Sequence, residues 1–119
     1  MLNGGWSLSR TQVKEMREYH KKQLANGWKG IKDGNIRTRY KIIKDGGNDI
    51  SIEVESFYTT VCYISKENGL WWILKEWDGY SSTTLRHLNL LAEKFHFPSI
   101  SKKKWNDLAY QSWCILSSE

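Results

Sequence analysis

Apolar residues recur with helical spacing in the first quarter of the chain. Ser9 is a candidate N-cap, and Gln12 follows it at the spacing of a capping box. Gly27 marks the stop of this pattern. We therefore predict a helix of about four turns with one buried face. That face is a stripe of Val13, Met16, His20 and Leu24.

The spacing then changes to strict alternation, which is typical of half-buried strands. Residues 36–42 (IRTRYKI) place neutral side chains on one face and the cations Arg37, Arg39 and Lys41 on the other. Residues 49–55 (DISIEVE) repeat the alternation after the turn DGG, which indicates a hairpin.

The register of this hairpin is restricted because directly opposed residues share a face of the sheet. Tyr40 must therefore lie opposite Ile52 or Val54, and the one-residue slip between these registers is excluded. Both allowed registers place Arg39 opposite a glutamate of the second strand.

Two more strands are predicted in YTTVCYIS and LWWILKEW, joined by a turn, KENG, whose Asn-Gly tolerates positive φ. The alternation breaks near Ser56 and Phe57, so a bulge or corner is expected there. LWWIL is apolar on both faces, which predicts a central strand or one covered on both sides.

Helical spacing returns in the last third. One helix is predicted from residue 81 to about 96, and a second from about Ser101 toward the end, after Pro98. We predict an α+β fold with an N-terminal helix, an antiparallel sheet of about four strands in meander order, and two C-terminal helices packed on one face. The predicted stripe of the last helix is Trp105, Leu108, Ala109, Ser112 and Trp113.

The length of 119 residues predicts a single domain, residues 1–119. There is no signal-peptide pattern, and the longest apolar run, residues 70–74, is too short for a membrane span. We therefore expect a cytoplasmic protein with no membrane partner. Cys62 and Cys114 lack metal-ligand spacing, so we expect reduced thiols, no metal and no cofactor.

Charge is unevenly distributed along the chain. Residues 1–47 contain eleven Lys or Arg and four Asp or Glu, whereas residues 48–79 contain two and six. A basic N-terminal segment favours polyanionic partners, either nucleic acid or an acidic protein surface.

The segment YSSTTLRH has one structural and one functional interpretation. Ser81 can cap a helix, with the neighbouring hydroxyls serving free backbone donors. Alternatively, Ser82, Thr83 and His87 bind a phosphate or carboxylate at the helix N-terminus. No nucleophile elbow, zinc motif or nucleotide loop is present, so we expect no enzyme and no catalytic residues.

The order SFYTTV, an aromatic strand and YSSTTLRH resembles a group of small, uncharacterised phage proteins. In that group a Ser-aromatic-x-Thr-x-Val strand precedes a Tyr-Ser-x-Thr-Thr-x-x-His helix start. The resemblance covers about residues 56–97 and implies phage origin, and some phage proteins of this size and charge inhibit host defence, including CRISPR effectors. The matching residues are Ser56, Phe57, Thr59 or Thr60, Val61, Tyr80, Ser81, Thr83, Thr84 and His87.

We therefore expect a non-enzymatic phage accessory protein that binds a host protein or nucleoprotein complex and inhibits a defence complex such as a CRISPR effector. The alternative is a protein that binds DNA or RNA through the first helix and the lysine run before Trp105. The candidate binding residues are Lys14, Arg17, Lys21, Lys22, Lys29, Lys32, Lys102, Lys103, Lys104, Ser82, Thr83 and His87.

Overall fold

One antiparallel sheet and three helices make up the computed structural model, which describes residues 9–32 and 35–117. The α+β fold, the N-terminal helix, the meander order and the two further helices are confirmed, but the described sheet has six strands, whereas the sequence predicted about four. The elements are α1 (Arg10–Ala25), β1 (Lys29–Gly30), β2 (Thr38–Gly46), β3 (Asp49–Ser56), β4 (Thr59–Glu67), β5 (Leu70–Lys75), α2 (Ser82–Phe95), α3 (Lys102–Asp107) and β6 (Trp113–Ile115).

The start of α1 is the predicted capping box. The Gln12 amide donates to Ser9 Oγ at 3.1 Å, and the Ser9 amide donates to Gln12 Oε1 at 2.9 Å. Met16 is buried, whereas Leu24 is 45% exposed, so the predicted stripe is wrong at its last residue. The reason is that the C-terminal half of α1 contacts the sheet through Tyr19 and Gln23, which turns Leu24 toward solvent.

The register of the first hairpin pairs Tyr40 with Val54, which is one of the two registers that the alternation allowed. A bulge interrupts the pairing of β3 with β4 opposite Val54 and Glu55. Tight connections keep neighbouring strands consecutive in sequence. They are the two-residue turns Gly47–Asn48, Phe57–Tyr58 and Asn68–Gly69.

The hydrophobic core lies between α2, α3 and one face of the sheet. Thr38 and Tyr40 point to this face, and the ring of Tyr40 contacts Phe95 edge to face. The core contains buried residues of β3 to β5 and of α2 and α3. They include Ile52, Val54, Ile64, Ile73, Leu88, Leu91 and Trp105.

The opposite face of β2 and β3 is covered by α1. Arg39, which the alternation placed on an outward face, has no exposed surface. That expectation is wrong because period-two alternation separates the two faces of a strand but does not show which elements cover them. Tyr19 and Gln23 of α1 cover this face.

The predicted last helix is wrong beyond Asp107. Leu108 has an extended backbone, Gln111 has a φ of 58°, and residues 113–115 then form β6. Trp105 is buried as expected, whereas Trp113 is 48% exposed. Pairing of an aromatic and β-branched segment with the free edge of β5 outweighs its helical spacing.

LWWIL lies in an internal strand of the described sheet, between β4 and β6, as the first alternative predicted, but it is not covered on both faces. Trp72 and Leu74 are half-buried on the face opposite α2 and α3, and Leu70 is 50% exposed. Within the part of the chain that the structure describes, α1 contacts the far edge of the sheet at β1. This half of the sheet face is therefore not covered by a helix among the described residues.

Candidate functional site

Four cations form a continuous stripe along α1. They recur at intervals of four, three and four residues, which places them on one side of a helix. All four side chains are exposed, and Met16 anchors the opposite side of the helix. We call this stripe the basic face; it consists of Arg10, Lys14, Arg17 and Lys21.

The cations of the basic face are not neutralised within the described residues. Glu18 lies one helical turn from Lys14 and from Lys22, but it forms no ion pair with either of them. The ion pairs of the described residues join Arg39 to Glu55, Lys75 to Asp78, and Lys103 to Asp107. The basic face is therefore a run of exposed positive charge without an ion pair to another described residue.

The remaining predicted cations near α1 are separate from this stripe. Lys22 lies in the last turn of α1 and is exposed. Lys29 is exposed in β1 opposite Tyr40, and Lys32 is exposed after β1. They add positive charge to the β1 edge of the molecule.

The lysine run at the start of α3 already has partners inside the protein. Lys102 Nζ lies 4.9 Å from the centre of the Tyr80 ring, and Lys103 Nζ lies 2.8 Å from the carboxylate of Asp107. Lys104 Nζ donates to the carbonyl oxygens of Ser99 and Ser117 at 3.1 and 2.7 Å. Lys104 therefore ties α3 to the segment after β6.

The N-terminus of α2 is occupied largely by its own side chains. Ser81 Oγ accepts from the Thr84 amide at 3.2 Å, which confirms the predicted cap. Ser82 is exposed and Thr83 is half-buried. His87 is 1% exposed, and its Nδ1 lies 2.5 Å from Thr38 Oγ1.

The position of His87 separates it from the two hydroxyls with which the sequence grouped it. Burial lowers the pKa of His87, and the positive charges of Arg86, Lys32 and Arg37 lower it further. A neutral, buried imidazole stabilises the contact between α2 and β2 and adds no positive charge to an anion site.

A cavity of about 440 Å³ lies between α1, the turn after β3 and the start of α2. Most of its wall is apolar, so it is suited to an apolar group rather than a phosphate. The apolar lining consists of Met16, Phe57, Tyr58, Val61 and Trp77, and the polar lining consists of Gln12, Glu15, Ser56, Thr59, Ser81 and Thr84.

Backbone geometry fixes two of the aromatic walls. Phe57 has a φ of 57°, which is unusual for a residue with a side chain. Its amide donates to the Arg37 carbonyl at 2.7 Å. The ring of Trp77 packs on Gly79, whose carbonyl accepts from Trp105 Nε1 at 2.8 Å.

A buried network of polar side chains holds the turn that carries Phe57. Arg39 Nε lies 2.9 Å from Glu55 Oε1, and Arg39 also donates to the carbonyl oxygens of Ile36 and Phe57. Tyr19 donates to the same carboxylate at 2.7 Å. Burial and this hydrogen bond raise the pKa of Tyr19 to about 12, so the phenol remains a donor.

Sequence reasoning identified two hydroxyl residues of the cavity, Ser81 and Thr84, as parts of the α2 start but did not identify the cavity. The cross-strand pairing of Arg39 with a glutamate was a usable signal for the network. The left-handed backbone of Phe57 has no such signal, because it depends on two contacts that are distant in the sequence. Its amide donates to the Arg37 carbonyl, and its carbonyl accepts from the Arg39 guanidinium. Among the described residues there is no cluster of three or more side chains suited to a metal ion.

A family model described as "Family of unknown function (DUF8033)" matches residues 13–107. The chain belongs to this family. The family match extends from α1 through α3 and ends before β6. No curated protein and no solved structure matched the chain. No described helix combines the length and apolar character needed to cross a membrane.

Proposed function

We propose that this protein is a non-enzymatic nucleic-acid-binding protein that places the basic face of α1 against a phosphate backbone. The observation that supports this proposal is the stripe of four exposed cations without ion-pair partners among the described residues. Phosphate contacts of this kind release condensed counterions and provide sequence-independent affinity.

The distribution of carboxylates also supports the proposal. Glu55, which could attract the cations of α1, is directed into the buried network with Arg39 and Tyr19. Glu53 accepts from Thr60 Oγ1 at 2.8 Å. Two carboxylates of the acidic segment, Glu53 and Glu55, are therefore hydrogen-bonded within the protein and do not neutralise the basic face. The basic face keeps a positive electrostatic potential.

The binding is expected to depend steeply on salt. If all four cations contact phosphates of duplex DNA, the slope of log affinity against log salt is about −3 to −4. Affinity then falls about a hundredfold between 50 and 200 mM salt. The measurement is fluorescence anisotropy with labelled duplex DNA, single-stranded DNA and RNA of the same length.

Two triple variants with equal loss of charge locate the surface. Replacing Lys14, Arg17 and Lys21 with Gln is expected to reduce the slope to about −1, because roughly one contact is left. Replacing Lys94, Lys102 and Lys103 with Gln, all exposed, is expected to leave the slope unchanged. Equal weakening by both variants, or no binding at 50 mM salt, would contradict the proposal.

A second candidate function is binding of a host protein complex, as expected for a phage inhibitor of a host defence complex. The observation that favours it is the aromatic-lined cavity, because pockets of this type accept an apolar side chain of a partner. The buried Arg39 network holds Phe57 in place, which lowers the entropy that binding would cost.

Filling the cavity tests this second candidate. Thr59→Phe introduces a ring at an exposed lining position, and Asn106→Phe introduces one on α3 away from the cavity. In a nuclease-treated host-cell lysate, the unaltered protein and Asn106→Phe are expected to retain the same protein partner. Thr59→Phe is expected to lose it, as measured by quantitative mass spectrometry. Loss of every partner on nuclease treatment would contradict this candidate.

A further inference from the structure

The two edges of the sheet differ in charge. β1 has only two residues, one of which is the exposed Lys29. At the other edge, residues 108–118, which include β6, contain no Asp, Glu, Lys or Arg. Proteins commonly protect sheet edges with charged side chains, because an uncharged edge can pair with another strand. The β6 edge lacks this protection.

Backbone groups of β6 point away from the sheet. Cys114 pairs with Ile73, and the Leu116 amide donates to the Trp71 carbonyl at 2.9 Å. Because hydrogen-bonding direction alternates along an antiparallel strand, the amides and carbonyls of Trp113 and Ile115 point away from β5. β6 is the last strand in the described sheet, so these groups form its outer edge.

Apolar side chains accompany this edge. Trp113 and Ile115 are 48% and 50% exposed and lie on the sheet face that α2 and α3 do not cover. The half-buried Trp72 lies beside Ile115 on β5. A strand added next to β6 would therefore gain both backbone hydrogen bonds and apolar contacts.

We propose that β6 pairs with β6 of a second copy of this chain, antiparallel about a two-fold axis. In this arrangement Trp113 lies opposite Ile115 of the partner, each donating and accepting one backbone hydrogen bond, and Cys114 lies opposite its own copy. The edge is thus self-complementary, as a two-fold interface requires.

The charge distribution favours a second copy as the occupant. The net charge of +5 would oppose self-association if the cations lay near the contact. The basic helix α1 instead contacts β1, at the opposite edge of the sheet from β6. Lys104 of α3, which reaches the segment after β6, is held by the carbonyl oxygens of Ser99 and Ser117. Two copies joined at β6 keep their basic helices at the far ends, and this arrangement does not depend on what α1 binds.

Cys114 provides a geometric test of this register. Opposed residues at the non-hydrogen-bonded position of an antiparallel pair have Cα atoms about 4.5 Å apart, which lies within the span of a disulfide. Cys62 is fully buried, and burial raises the pKa of its thiol, so it is protected from oxidation. Oxidation of the dimer is therefore expected to link Cys114 to Cys114.

The experiment combines sedimentation equilibrium with oxidation by diamide, which takes up the two electrons and two protons that the thiols release. Under reducing conditions, we expect a monomer–dimer equilibrium between about 10 and 300 µM, because the contact is short. Diamide is expected to give a covalent dimer of the unaltered protein and of Cys62→Ser, but not of Cys114→Ser. In sedimentation under reducing conditions, Cys114→Ser is still expected to form the non-covalent dimer.

A matched pair of variants locates the interface. Ile115→Lys places a charge at the edge and is expected to weaken dimerisation at least about tenfold. Ile43→Lys changes an equally exposed isoleucine of β2 and is expected to have no effect. Three results would overturn the proposal: a monomer at the highest concentration with no diamide product, a crosslink that requires Cys62, or dimerisation that only Ile43→Lys weakens. A monomer that binds a strand of a different protein at β6 would also overturn it.

Discussion

Replacing Arg39 with leucine is expected to lower the free energy of unfolding by about 3 to 5 kcal/mol, the largest effect among single substitutions considered. The reason is that Glu55, 6% exposed, would keep a buried carboxylate without its cation. The carbonyls of Ile36 and Phe57 would also lose a donor. Urea unfolding followed by tryptophan fluorescence and by circular dichroism measures the change.

The neighbouring Arg37 is the matched control for this prediction. Its guanidinium lies 5.9 Å from the centre of the Phe57 ring, and its side chain is only half-buried. Arg37→Leu is therefore expected to cost about 1 kcal/mol or less. The double variant Arg39→Leu/Glu55→Leu is expected to be more stable than Arg39→Leu, because it removes the unpaired charge. Equal losses for Arg39→Leu and Arg37→Leu would refute this account of the network.

Gly79→Ala is expected to lower the free energy of unfolding by about 2 to 3 kcal/mol. A Cβ at this position would lie 2.4 Å from Trp77 Cζ2 and 2.5 Å from Trp77 Cε2, which are atoms of a rigid ring. The ring must therefore move, and it is a wall of the cavity. Thermal and urea unfolding measure the loss, and the altered position of Trp77 is expected to change the fluorescence of the folded protein.

Gly46→Ala is the control, because a Cβ there has no atom within 4 Å and the residue does not have a positive φ. The free energy of unfolding of Gly46→Ala is expected to differ from that of the unaltered protein by less than about 1 kcal/mol. Alanine lowers the conformational entropy of the unfolded chain, which slightly favours the folded state. Should Gly79→Ala be as stable as Gly46→Ala, Trp77 would not be fixed by its packing on Gly79.

Much of the fold could be predicted from the sequence where a local rule determines it. The capping box at Ser9 and the cap at Ser81 depend on side chains within three residues of their partners. Alternation restricts Tyr40 to two registers, and the observed pairing with Val54 is reached through a register shift between Ile42 and Lys44. In these cases the chain needs no distant element to select the structure.

The remaining features of the fold depend on contacts between residues that are distant in the sequence, and hydrophobic periodicity does not predict such contacts. Arg39 alternates like an outward residue, but α1 covers it. Trp113 has the spacing of a buried helical residue, but its segment pairs with β5 as a strand. Of the predicted binding residues, Lys14, Arg17 and Lys21 lie together on one stripe, whereas Lys22 lies outside it. His87 is buried in the core.

The order of the strands affects how the chain folds. Each strand of the sheet pairs with its neighbour in the sequence, and three of the connections contain only two residues. The entropy lost in closing such short loops is small, so each hairpin can add to the preceding one without a long search. The sheet can therefore assemble progressively while the ribosome is still synthesising the chain, with β6 completing it last.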